Sequence, residues 1–240
     1  MKMNGNTILI TGGGSGIGRG LAEAFHRRGN QVLVTGRRLE RLKTLCAANP
    51  GMIAVELDVR DPDAIRRVTA QILADYPALN VLVNNAGIMA LAPIAETDDA
   101  SFDRLIAVNL KGTFNTLREA ANRLRSGGRI VNFSSSVVGL LQPTYGVYAA
   151  TKAAVEAMTS ILAKELRGRA ITVNAVAPGP TATDLFLKGK PQAMVDHLAK
   201  LAPLERLGQP EDIAATVAML VGPDGAWING QTLRANGGII

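Results

Sequence analysis

Tyr148 and Lys152 stand four residues apart in the stretch GVYAATKAAVEAM. On a helix that spacing puts both side chains on one face, with Cβ atoms about 5–6 Å apart. A cation so close favours phenolate, so the spacing predicts a tyrosine whose proton is given and taken more easily near neutral pH. Ser135 lies upstream, at the end of the apolar run 128–133, which reads as a buried strand. A hydroxyl, a phenol and an ammonium together can hold an oxygen atom, protonate it and steady the charge that develops on it.

Bringing such a trio together requires a rigid frame, and the pattern supplies one. Apolar runs of strand length, at 7–10, 31–35, 52–57, 80–83, 129–133, 171–176 and 231–234, alternate with longer amphipathic stretches. The latter read as helices up to about residue 28, then over 38–48, 62–75, around 101–125, and over 145–166, 192–201 and 209–220. Repeated β-α units imply a parallel sheet covered by helices on both faces. Right-handed crossovers then leave a doubly wound, Rossmann-type α/β fold of about seven strands as the simplest topology. We expect one domain over 1–240, without internal repeats or linkers. The turn-rich segment 181–205 is expected to be a substrate lid within it.

Composition narrows the classes further. The chain has 240 residues, 47% of them hydrophobic, enough for one sizeable core. A single cysteine, Cys46, excludes an internal disulfide and fits a reducing compartment. The N-terminal residues lead directly into a strand, and no apolar run is long enough to span a bilayer, so the expected location is cytoplasmic. The net charge is +6, but residues 1–50 carry eight Lys and Arg against Glu23 and Glu40, which accounts for the whole excess. A basic cluster beside a nucleotide-binding turn points to an extra phosphate on a small cofactor rather than to nucleic acid. No cluster of His and Cys at ligand spacing suggests a metal.

That turn is Thr11-Gly12-Gly13-Gly14-Ser15-Gly16-Ile17-Gly18, directly after the first strand. Glycines let backbone N–H groups approach a pyrophosphate at a helix N-terminus. The second strand ends VLVTGRR, with Gly36 where a carboxylate would accept a ribose 2′-hydroxyl. Arg37 and Arg38 follow, and guanidinium groups suit a 2′-phosphate. The residues therefore predict NADP(H) over NAD(H).

Thr11-Gly-x-x-x-Gly-x-Gly18, Asp58-Val59, Asn84-Asn85-Ala86-Gly87, Asn109, Ser135, Tyr148-x-x-x-Lys152 and Pro178-Gly179 together resemble the short-chain dehydrogenase/reductase family, over nearly the whole chain. The resemblance implies a hydride transfer between a nicotinamide and a ketone or secondary alcohol. In it Tyr148 is the general acid/base, and Lys152 lowers its pKa and binds the nicotinamide ribose. Ser135 holds the substrate oxygen, and Asn109 positions a water in a proton relay through Lys152. The resemblance further implies that Gly12, Gly14, Ser15, Gly16, Ile17, Gly18, Arg37 and Arg38 hold the phosphates. Asp58 and Val59 would meet the adenine, Asn85, Ala86 and Gly87 would line the cleft, and Pro178, Gly179 and Thr183 would contact the nicotinamide end.

Several alternatives stay open at this level. Ser134 and Ser136 compete with Ser135, and Thr181 with Thr183. Asp58 also suits a turn cap, and Asn109 a helix kink. Tyr145 has Ala149 four residues on, not a lysine, and fits a pocket wall; Met89, Leu91, Leu140, Leu141 and Phe186 fit an apolar wall or plain core. Rival functions are a 3-oxoacyl-carrier-protein reductase and a non-catalytic nucleotide sensor or scaffold. The family is usually oligomeric, so a homotetramer or dimer is expected, with the small-residue helix 145–166 as a packing face.

Overall fold

A computed structural model describes residues 4–240. Seven strands form one fully parallel sheet in the order β3-β2-β1-β4-β5-β6-β7. They are β1 (Thr7–Thr11), β2 (Gln31–Gly36), β3 (Ile53–Glu56), β4 (Val81–Asn84), β5 (Arg129–Phe133), β6 (Thr172–Pro178) and β7 (Thr232–Ala235). Buried on both faces, the central strands read as unbroken apolar runs. In β1, Ile8 and Ile10 join the core on one face, and Leu9, alternating with them, joins the core on the other.

One face is covered by α1 (Gly16–Arg27), α2 (Leu39–Ala48) and α10 (Pro210–Val221), through Leu21, Phe25, Leu42, Ile213 and Val217. The other is covered by α3 (Pro62–Asp75), α5 (Gly112–Arg123) and α7 (Gly146–Glu165), through Ile72, Leu117 and Leu162. The remaining α-helices among the described residues are α4 (Asp99–Leu105), α6 (Val137–Leu140), α8 (Asp184–Leu187) and α9 (Gln192–Lys200). The last two lie within the 181–205 segment. A parallel bridge between Thr181 and Gly208 ties that segment back to the frame.

Most expected elements shift by a residue or two. The expected strand at 52–57 is shorter, because Met52 leaves the sheet to bridge Pro50. The expected helix around 101–125 begins at Asp99, whose N-cap Asp98 accepts a hydrogen bond from the Ser101 amide. It is interrupted by a π-helical turn over Ile106–Lys111, which contains Asn109.

The strand order reverses between β1 and β4. In open α/β sheets that is where the carboxyl ends splay apart and leave a crevice. Thr11, Asn84 and the residues that follow them face it. No helix among the described residues is long and apolar enough to cross a membrane.

Candidate active site

The crevice contains two adjoining cavities. The larger, about 490 Å³, runs along the glycine turn. Its wall begins where β1 ends: buried Thr11 accepts hydrogen bonds at Oγ1 from the Asn85 and Ala86 amides, at 3.1 and 3.0 Å. Asn85 Nδ2 donates back to the carbonyls of Thr11 and Gly12, at 3.0 and 3.1 Å. Gly12 has φ +66°, and a Cβ there would stand 2.9 Å from Ala86 Cα. A Cβ on Gly18 would stand 2.3 Å from the Gly12 carbonyl oxygen. Side chains would fill the space that keeps the turn open and would part it from β4.

The N-terminus of α1 opens into this cavity. Its first turn has no acidic residue, and the Ser15 hydroxyl caps none of its amides. That arrangement suits an anion such as a pyrophosphate. Further along lie Gly36, Arg37, Arg38 and Arg41, and neither Arg37 nor Arg38 is in an ion pair among the described residues. A dinucleotide with an added phosphate therefore fits the groups present.

Of the residues expected to hold the cofactor, Gly12, Gly14, Ser15, Gly16, Ile17, Arg37, Arg38, Asp58, Val59, Asn85, Ala86, Gly87 and Thr183 line this cavity. Gly18 does not; it packs α1 against the turn. Asp58 lines the cleft, but its carboxylate is engaged elsewhere: Arg60 Nη2 lies 2.6 Å from Oδ2, and the Arg60 amide donates to Oδ1. The hydrogen bond from Arg60 leads in holding this carboxyl below its ordinary range. Asp58 thus also closes a local turn.

The second cavity, about 160 Å³, lies against the first and shares Ile17, Asn85, Gly87, Thr183 and Leu185 with it. Ser135, Tyr148, Lys152, Pro178 and Gly179 line it. Sequence leaves the choice among three serines open; their partners separate them. Ser134 Oγ lies 2.5 Å from Glu156 Oε1. Ser136 Oγ donates to the Ala177 carbonyl at 3.1 Å and accepts from Asn236. Ser135 instead shares a hydrogen bond with Tyr148. Thr181 is likewise committed, to the Gly179 carbonyl, while Thr183 caps α8 and touches the glycine turn, 3.2 Å from where a Gly16 Cβ would sit.

Lys152 is buried, and its Nζ donates to the Phe133 carbonyl at 2.8 Å. It stands 5.8 Å from the Tyr148 ring centroid. The spacing predicts a phenol made more acidic by this lysine, and here the structure corrects it. Burial pushes the Tyr148 hydroxyl up to about 12, against a smaller opposing pull from the Ser135 hydrogen bond. Burial also brings Lys152 down to about 8. Burial leads both shifts, and Lys152 spends one of its three N–H donors on a backbone carbonyl.

Asn109 is fully buried in the π-helical turn and lines neither cavity. Its Oδ1 accepts from the Ile88 amide at 2.8 Å, and its Nδ2 donates to the Ile88 carbonyl at 2.9 Å. The expected relay residue is thus a latch on the segment after β4. A Cβ on Gly87 would lie 3.4 Å from Asn109 Oδ1 and 3.6 Å from Lys152 Nζ, so the two groups flank one small gap.

Tyr145 stacks edge-on to Tyr148, with centroids 6.4 Å apart, and lines the second cavity with Met89, Leu140 and Phe186. Leu91 and Leu141 do not line it. The sequence reading missed Glu156, one turn beyond Lys152 on α7, and Ile239 in the cavity wall. The i, i+4 spacing to Lys152 was available as a signal for Glu156; nothing in the sequence marks Ile239. His26, His197 and Cys46 line neither cavity. Among the described residues no group of His, Cys, Asp and Glu is arranged to hold a metal.

Known proteins resemble this chain in sequence and fold. A family model described as "Enoyl-(Acyl carrier protein) reductase" matches residues 12–240. A "Short-chain type dehydrogenase/reductase" of Picea abies is 40% identical, over 98% of this chain and 93% of its own length. The "NADPH-dependent aldehyde reductase-like protein, chloroplastic" of Arabidopsis thaliana is 36% identical, over 100% of this chain and 96% of its own. A short chain dehydrogenase of Burkholderia cenocepacia, solved in complex with NADP, superposes with a TM-score of 0.91 at 33% identity, covering 100% of this chain and 99% of that one.

Proposed function

The chain belongs to the short-chain dehydrogenase/reductase family, and from that premise we propose that it is an NADP(H)-dependent carbonyl reductase, reversible as an alcohol dehydrogenase. The observation that carries this reading is the cavity in which Tyr148, Ser135 and Lys152 meet, opening directly onto the cleft of the glycine turn. The preference for NADP(H) rests on Arg37 and Arg38 with no carboxylate at Gly36. It is supported by the NADP in the Burkholderia cenocepacia structure and the coenzyme named for the Arabidopsis thaliana relative.

The reduced nicotinamide supplies the hydride when bound. The protein's own groups handle the oxygen. Ser135 donates a hydrogen bond to the carbonyl oxygen and orients it. Tyr148 gives its proton to that oxygen as negative charge arrives. A phenol held near 12 keeps its proton in the resting site, yet an alkoxide is a stronger base than phenolate, so the transfer runs downhill. Lys152, with its pKa near 8, is mostly protonated at neutral pH and stabilises the phenolate left behind. Gly12, Gly16 and the start of α1 hold the pyrophosphate, and Asn109 fixes the backbone next to Gly87 and Lys152.

The protein acts as a homo-oligomer in this proposal, a tetramer or dimer. On α7, Ala150, Ala153, Ala157 and Ile161 form an exposed stripe of small and apolar side chains at helical spacing. Light scattering at micromolar concentration checks this, and a monomer contradicts it.

The test of the function is a panel of ketones, aldehydes, an enoyl thioester and a 3-oxoacyl thioester, with NADPH and NADH in parallel. Carbonyl-dependent NADPH oxidation exceeding that with NADH supports the reading. Tight NADPH binding without turnover on any member refutes it in favour of a nucleotide sensor. Turnover confined to the enoyl compound would replace carbonyl reduction with double-bond reduction.

A further inference from the structure

We infer that the substrate is a neutral carbonyl compound with an apolar body, and that carbonyl compounds bearing a carboxylate or phosphate are rejected. This rests on the reductase reading and specifies what that site accepts.

The polar groups of the second cavity are nearly all committed within the protein. Asn85, Ser134, Ser136, Thr181 and Thr183 spend their side chains on neighbouring residues. Among the described residues Lys152 is the only side chain on the wall with a formal charge, and it is buried, with one donor spent on the Phe133 carbonyl. Among the described residues no Asp, Glu, Arg or His lines this cavity. For the carbonyl oxygen that leaves the Ser135–Tyr148 pair. The other uncommitted polar groups are neutral: the Gln142 amide and the Tyr145 hydroxyl, neither of which makes a side-chain hydrogen bond among the described residues.

Much of the remaining wall is apolar, with Met89, Val137, Leu140, Leu185, Phe186 and Leu201. A carboxylate carried into this space loses its water and finds no cation but the buried Lys152, whose charge the reaction engages through Tyr148. The 181–205 segment contributes Leu185, Phe186 and Leu201 to the wall and no charged side chain. The apolar character therefore extends to this segment's share of the wall.

The experiment compares kcat/KM for para-carbamoylbenzaldehyde and para-carboxybenzaldehyde with NADPH. The two are nearly equal in size and differ in charge. The wild-type protein should prefer the neutral amide by roughly 10²-fold or more. Equal rates, or a preference for the carboxylate, overturn the inference. Leu201→Arg adds a cation to an exposed position on the wall and should move the ratio at least about tenfold toward the carboxylate; its folding is verified by NADPH binding, and an unmoved ratio in a folded variant counts against the inference. If neither aldehyde turns over, calorimetry with the corresponding benzyl alcohols and NADP+ separates the two claims. Binding of the neutral alcohol alone upholds the pocket assignment and sinks the reductase reading. Binding of both equally, or of neither, overturns the pocket assignment itself.

Discussion

Replacing Lys152 with methionine should make the cofactor-free protein more stable at neutral pH while removing its proton chemistry. Burial takes the Lys152 ammonium from 10.5 to about 8. At 1.36 kcal/mol per pH unit, keeping it charged at pH 7 costs the folded state about 3 kcal/mol. Methionine has a similar length and no charge, so the packing is largely kept. Against the gain stands the hydrogen bond from Nζ to the Phe133 carbonyl, worth about 1 kcal/mol. The net expectation is about 2 kcal/mol of added stability, or about 4–8 °C in Tm for a chain of this size. The pH dependence fixes the cause. The folded pKa lies below the unfolded one, so the penalty is fully present below pH 8 and fades as pH rises toward 10.5. Urea denaturation of both proteins should give the full gap at pH 7 and almost none at pH 10. A variant less stable than wild type at pH 7, or a gap that does not shrink, would refute the assignment of Lys152 as a strained, desolvated cation.

Arg37→Asp should raise the KM for NADPH more than about tenfold and lower that for NADH, since it exchanges a phosphate partner for a 2′-hydroxyl acceptor; steady-state kinetics with both coenzymes check this. Gly12→Ala places a Cβ at φ +66°, 2.9 Å from Ala86 Cα. It should cost about 1–3 kcal/mol of stability and weaken NADPH binding more than about tenfold, read by thermal melting and fluorescence titration.

Much of the fold can be read from the chain because a parallel sheet covered on both sides writes its strands as unbroken apolar runs. TILI, QVLVT and RIVNF stand out between polar, periodic helices. The trio Ser135, Tyr148 and Lys152 is legible for a related reason: two of its members share one helix, and spacing along a helix is spacing in space. What is not legible depends on partners far away in the chain. Ser134 is removed from contention by Glu156, and Ser136 by Ala177 and Asn236. The latch from Asn109 to Ile88 spans 21 residues and needs the folded crevice to exist. The direction of the Tyr148 shift is not legible because residue spacing reports distance to a charge, whereas burial depends on everything packed around the pair.

Tyr148→Phe tests the central claim most directly, with NADPH affinity and kcat measured on the same preparation and the same carbonyl substrate. The ring and its packing remain, and only the transferable proton is lost. The account predicts an unchanged Kd for NADPH and a kcat lower by about 10²–10⁴-fold. A kcat within threefold of wild type would contradict it, since the proton would then come from some other group.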